Sequence, residues 1–265
     1  MANDILGPMD DCWAASLGDC GGKLSREHIV TEGTFAEDEV FVHGFDWCRD
    51  APVKIGLANL TAKILCEKHN SALSTADDAG IKTVECLREF FRLADVRLAM
   101  KSRRWRVVRQ KTDGFELERW FLKTLTNVAL GRQCPLDKAH SPKWKPSREL
   151  VQTAFGLKRF EPRAGLYILQ KEGLNIDPNA KLQIMTLYDN ANQLIGARFI
   201  MSGFAFLLYL EREGLTKPVQ FADPAGAVDA AALKPVYHPG AISCNTNPTK
   251  KHLSHVLEID WSRGA

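Results

Sequence analysis

Two stretches decide how this chain is read. The first is Cys12-Trp-Ala-Ala-Ser-Leu-Gly-Asp-Cys20-Gly-Gly-Lys-Leu-Ser-Arg-Glu27-His28-Ile-Val30, and the second is Asn59-Leu-Thr-Ala-Lys-Ile-Leu-Cys66-Glu-Lys-His69-Asn70-Ser-Ala-Leu-Ser74. Thiol and imidazole are the side chains that bind zinc, and Cys66-x-x-His69 has the spacing of half a tetrahedral site. Cys12 and Cys20 are separated more widely than the two to four residues usual for paired zinc cysteines. Four ligands are nevertheless at hand: Cys12, Cys20, Cys66 and His69 for a structural Zn²⁺. Cys48 is an alternative to Cys12, and a chain that has lost the metal and keeps buried thiols is a third reading.

Outward from these stretches the character of the chain changes. Residues 78–100 place Val84, Leu87, Phe91, Leu93 and Leu98 at intervals of three and four, with Arg88, Arg92 and Arg97 between them, which predicts an amphipathic helix. Lys101 to Lys111 reads as one arm of a β-hairpin turning at Asp113-Gly114, followed by a second helix over Phe115 to Leu130. Cys134 to Ser147 holds Pro135, Pro142 and Pro146 among lysines and reads as a linker. Beyond it, apolar runs at Gly165–Gln170, Lys181–Tyr188, Ala197–Met201 and Phe204–Tyr209 alternate with turn-prone residues, the pattern of a small antiparallel sheet domain. The expected fold is therefore α+β, with one domain over 1–133 and a β-rich accessory domain over 148–265.

Composition is permissive. With 45% hydrophobic and 25% charged residues and a net charge of +3, the chain is an ordinary globular protein and neither disordered nor fibrous. Its start lacks a basic segment followed by an apolar one, and the most apolar run, Gly203 to Leu210, is too short to span a bilayer. A cytoplasmic protein without a membrane partner is expected. Seven scattered cysteines do not read as a disulfide framework, and reduced thiols are free to bind metal.

At the two opening stretches the sequence resembles the HNH, or ββα-metal, endonuclease family, over residues 12 to 80. In that family a Cys-rich knuckle precedes an acidic-His or His-His pair ending one strand, and a Cys-x-x-Cys followed by His or Asn opens the helix. The resemblance implies that His28 takes a proton from the attacking water, that Asn59 orients His28, and that Glu27 and Asn70 ligate one catalytic Mg²⁺ or Mn²⁺. Asn59 stands farther from Cys66 than the common motif has it. The division suits the chemistry, because neutral imidazole accepts a proton at cellular pH and a hard cation prefers oxygen donors. Asp77 and Asp78 follow the Asn70 turn; they read as helix-opening acids, with an outer role toward the cation as the alternative.

The implied function is hydrolysis of phosphodiester bonds in DNA, with RNA not excluded, a homodimer possible and bacterial defence or restriction as setting. The competing reading is a non-catalytic, zinc-stapled nucleic-acid-binding module. Lys101, Arg103, Arg104, Arg106, Arg109 and Lys111 form a run without an acidic residue and hold Trp105 among them. Such a strip could track phosphates while Trp105 stacks on a base, and Lys143, Lys145 and Arg148 could extend it. A solvated hairpin face is the plain alternative. His238, His252 and His255 lack a partner at convincing spacing, apart from a distant Cys244, and read as an exposed tail. Nothing resembling a phosphate-binding glycine loop, a nucleophile elbow or a dinucleotide fingerprint is present.

Overall fold

A computed structural model describes residues 11–99, 107–131, 144–170, 182–189, 191, 193–211, 234–244 and 255–262. The chain is a mixed α+β protein with several antiparallel sheets. It divides into two compact units that interleave in sequence: residues 1–81 with 119–159, and residues 82–118 with 160–265. The expectation was a single break within Cys134–Ser147, most of which lies outside the described residues.

In the first unit β1 (Leu24–His28) is joined to its neighbour by a long excursion that contains the hairpin of β2 (Glu39–Val42) and β3 (Val53–Gly56). The neighbour is β4 (Thr61–Cys66), antiparallel to β1 with Leu24 opposite Cys66 and His28 opposite Thr61. An irregularity between Ser25 and Glu27 shifts the register. Ala62, Ile64, Leu65 and Cys66 are buried, so the strand is held by its apolar side chains as well as its ladder. The turn of helix α1 (Glu67–Ser71) follows at once, and α2 (Ser74–Ala99) begins three residues later.

Helix α3 (Gly114–Gly131) contributes its second half to this unit, and α4 (Arg148–Ala154) follows, capped by Ser147, whose Oγ accepts from Leu150 N. From Trp120 onward α3 is buried on every side, which encloses Lys123 and Asn127 along with Leu122, Leu125 and Val128. Buried polar groups must find partners, and those partners define the floor beneath β1.

The second unit holds the rest of α2 and the start of α3. Its strand β5 (Arg109–Asp113) lies in a three-stranded sheet. The other strands are β6 (Gly165–Gln170), β7 (Gln183–Tyr188), β8 (Leu194–Met201), β9 (Phe204–Tyr209), β10 (Lys234–Tyr237), β11 (Ala241–Cys244) and β12 (His255–Asp260). Five of them form an antiparallel sheet in the order β10-β6-β9-β8-β7. Strand β9 buries residues of both faces, which is why Phe-Ala-Phe-Leu-Leu reads as unbroken apolar sequence.

The hairpin expected at Asp113-Gly114 does not form. Strand β5 instead pairs parallel with β12 in the sheet β11-β12-β5, and Gly114 opens α3. Asp113 acts as a helix cap, its Oδ1 accepting from Phe115 N at 2.9 Å and Glu116 N at 3.1 Å. Asp-Gly satisfies a cap as readily as a turn, and a Cβ on Gly114 would lie 2.5 Å from the Trp261 ring. His255 is likewise no exposed tail residue. It is fully buried in β12, where its Nδ1 accepts from Val108 N. His252 lies outside the described residues.

Candidate metal centre and the His28 strand

The β1–β4 ladder brings Cys66, at the end of β4, opposite the start of β1, where the Cys20-Gly21-Gly22 turn enters. Gly22 adopts φ +72, and a Cβ there would meet Glu67 Oε2 at 2.4 Å, so the turn requires glycine. Backbone bonds from Glu67 N to Lys23 O and from Lys68 N to Gly21 O lock the turn onto α1.

Cys12, Cys20, Cys66 and His69 converge here, with all ligand atoms within 4.8 Å of one another. Their Sγ atoms stand 3.4, 3.7 and 3.3 Å from His69 Nδ1. Tetrahedral zinc, with Zn–S near 2.3 Å and Zn–N near 2.0 Å, separates sulfur from nitrogen by roughly 3.5 Å. The arrangement could hold a metal ion and is compatible with zinc. Cys12 supplies the fourth ligand, whereas Cys48 is buried in the 3₁₀ turn Asp46–Cys48.

Electrostatics favour a cation at this point. Burial pushes the Cys12 thiol up to about 12, so that alone it keeps its proton. Burial also opposes ionisation of Cys66, but hydrogen bonds from Gly21 N at 3.5 Å and from the neighbouring groups outweigh it and hold that thiol below its usual value. Cys66 N in turn donates to Cys12 Sγ at 3.4 Å. Opposite tendencies in adjacent thiols are reconciled once a divalent ion replaces the protons.

One contributor was not legible from spacing. Asp19 Oδ1 lies 2.9 Å from His69 Nε2, the ring nitrogen that faces away from the three sulfurs. Lys68, and then His69, hold the Asp19 carboxyl below its ordinary range. A carboxylate there fixes the tautomer that presents Nδ1 to a metal. Phe155 stands against the His69 ring at 5.2 Å and is itself packed against the Trp13 ring at 5.6 Å. Asp19 directly precedes Cys20, and that adjacency was the available signal.

The other end of the ladder carries Glu27 and His28. His28 Nε2 is enclosed and has no hydrogen-bond partner among the described residues, with Glu32 Oε2 3.7 Å away. Asn59 is exposed, in the 3₁₀ turn Leu57–Asn59 that precedes β4 at this same end. Asn70 lies elsewhere: its Nδ2 donates to Ser25 Oγ at 3.2 Å. Along a strand, Ser25 and His28 are separated by roughly 10 Å.

Glu27 points inward. It is 4% exposed, and its Oε1 meets Lys123 Nζ at 2.6 Å. The same ammonium reaches Asp77 Oδ1 at 2.8 Å and Oδ2 at 2.6 Å. Burial pushes the Glu27 carboxyl above its ordinary range, against the pull of Lys123. Asp77 thus serves as a partly buried partner of Lys123 rather than only as a helix-opening acid. Asp78, next in α2, is exposed.

Of the basic strip, Lys101, Arg103, Arg104, Trp105 and Arg106 lie outside the described residues, as does Lys143. Arg109 and Lys111 face carboxylates across the parallel β5–β12 pair, at 3.5 Å to Glu258 and 2.8 Å to Asp260. Lys145 and Arg148 flank the start of α4. Among the described residues no helix is long and apolar enough to cross a membrane. Comparison with protein-family models, with curated proteins and with solved structures finds no match for this chain.

Proposed function

We propose that the first unit is a zinc-stapled endonuclease of the HNH kind that hydrolyses phosphodiester bonds in DNA. One observation carries the reading. The Cys12, Cys20, Cys66 and His69 cluster sits at one end of a two-stranded ladder, a helix follows directly, and the other end of the first strand carries an imidazole whose Nε2 has no hydrogen-bond partner among the described residues. Strand, strand and helix in that order, clamped by a metal, is the arrangement the motif resemblance implies. Zinc is the proposed ion of the cluster, because three thiolates and one imidazole suit it and exclude hard cations.

His28 Nε2 is the proposed general base. A neutral imidazole has a ring nitrogen free to accept a proton from water, and Glu32, 59% exposed, is the neighbour that would have to turn aside to admit that water. Asn59, in the turn at the same end of the ladder, is the residue proposed to orient His28. Mg²⁺ or Mn²⁺, when bound, would stabilise charge on the phosphate. The oxygen donors assigned to it do not gather: Asn70 faces Ser25 and Glu27 faces Lys123. No step is therefore routed through that ion.

That closure of Glu27 favours a second reading, a zinc-stapled nucleic-acid-binding module without hydrolytic activity. Nicking of supercoiled plasmid by wild type and by His28→Ala, with Mg²⁺ or Mn²⁺ present, separates the two. The nuclease reading expects nicking that His28→Ala abolishes at unchanged folding. Equal nicking by both proteins removes His28 from the mechanism, and DNA retention without nicking leaves the binding module.

A further inference from the structure

We propose that the Lys123 ammonium is a resident cation that occupies the place at Glu27 where a divalent ion would bind, so that Glu27 anchors the His28 strand and ligates no metal. The proposal rests on the nuclease reading only for the meaning of His28; the anchor itself stands on geometry.

An ammonium has three hydrogens to donate, and three carboxylate oxygens stand around Lys123 Nζ: Glu27 Oε1 at 2.6 Å, Asp77 Oδ1 at 2.8 Å and Asp77 Oδ2 at 2.6 Å. These are charge-assisted hydrogen-bond lengths, roughly 0.5 Å longer than a Mg–O bond of about 2.1 Å. Lys123 is 2% exposed and its ammonium is engaged by Glu27 and Asp77, so it does not reach a substrate phosphate and is a positioning residue. Removing it would leave two carboxylates facing each other with no cation between them.

The cluster ties down the segment around His28 at three points. Glu27 is held by Lys123. The His28 carbonyl accepts from Asn127 Nδ2 at 3.2 Å, and the same amide lies 3.4 Å from Glu27 Oε1. Trp13 Nε1 donates to Asn127 Oδ1 at 3.3 Å, which fixes which way that amide faces. Beyond His28, Thr31 Oγ1 donates to Asp77 Oδ1 at 2.7 Å and accepts from Trp120 Nε1 at 2.9 Å. The imidazole is thus presented from a backbone pinned on both sides, with every hydrogen of Lys123 engaged beneath it. A divalent ion at Glu27 would have to expel a buried, fully bonded ammonium.

The test uses the full zinc-loaded chain and Mn²⁺ as probe. Glu27→Gln should keep the Mn²⁺ dissociation constant, and the Mn²⁺ concentration for half-maximal nicking, within twofold of wild type, while the nicking rate at saturating Mn²⁺ falls severalfold. Lys123→Met should unfold at lower urea concentration than wild type, and Glu27→Gln/Lys123→Met should recover part of that loss, because the double variant removes an unbalanced charge. A tenfold or greater weakening of Mn²⁺ binding by Glu27→Gln overturns the proposal whether or not Lys123→Met folds. Wild type that takes up no Mn²⁺ supports the resident ammonium and counts against cation-dependent cleavage. Nicking that persists while Glu27→Gln loses Mn²⁺ keeps the nuclease reading and removes the anchor.

Discussion

Replacing Asp19 by alanine deletes the carboxylate that receives the outer nitrogen of His69 and leaves all four candidate metal ligands in place. The contact is 2.9 Å long and His69 is buried, so the ring loses the partner that Nε2 has among the described residues. Partners of this kind are worth about 10- to 100-fold in metal affinity. Asp19 is 51% exposed, so water screens the interaction and partly replaces it. The lower end is therefore expected, about tenfold, or roughly 1.4 kcal/mol. Lys68 also touches Asp19, at 2.6 Å, but both side chains are half exposed, and such pairs contribute roughly 0–1 kcal/mol. Lys68→Ala should accordingly weaken binding by less than about threefold. Zinc affinity would be read by competition with a chromophoric chelator at fixed pH, with the visible absorption of Co²⁺-substituted protein reporting that three thiolates still bind. Asp19→Asn keeps an acceptor oxygen and should recover part of the loss. Wild-type affinity in Asp19→Ala, or an equal loss in Lys68→Ala, would refute the proposed role of that carboxylate.

Two further outcomes follow from packing and charge. Gly80→Ala relieves a helix-propensity cost of about 1 kcal/mol, yet the new Cβ would lie 2.4 Å from the Trp120 ring, which is fully buried. Overpacking costs about 1–3 kcal/mol, so a net loss in the urea midpoint is expected, and a gain would show that Trp120 moves freely. Asp260 is held below its ordinary value of 3.8, first by Lys111 and then by Ser262. A depressed carboxylate contributes stability above its unfolded value and loses it as pH falls through the folded one. Asp260→Asn should therefore flatten the acid limb of the stability profile below about pH 4, and an unchanged limb would show that the ion pair is not maintained in solution.

Much of the architecture was readable because its signals are local. Residues 78–100 and Phe115 to Leu130 carry helical periodicity; the second lies within Gly114–Gly131, and the first lies within Ser74–Ala99 but for Met100, which is outside the described residues. The apolar runs from Gly165 to Tyr209 became four strands of one sheet. Strand pairs remote in sequence were not readable. Nothing within Arg109–Asp113 signals that it lies parallel to His255–Asp260, so Asp113-Gly114 was expected to turn a hairpin and instead caps a helix. The same remoteness hid the charge balance of Arg109 and Lys111, whose carboxylate partners sit on β12.

The candidate site divides along the same line. Residue type and spacing along the chain sufficed to mark Cys66-x-x-His69 as a candidate metal half-site, because a ligand pair three residues apart on one turn converges whatever surrounds it. Only the tertiary structure decided that Cys12 rather than Cys48 completes the set, that Asp19 orients His69, and that Glu27 meets Lys123 instead of open solvent. A carboxylate is a metal ligand, a cap or an ion-pair partner according to which cation is packed against it. That cation arrived on α3, brought there by the burial of Trp120, Phe121 and Leu125 on the same helix.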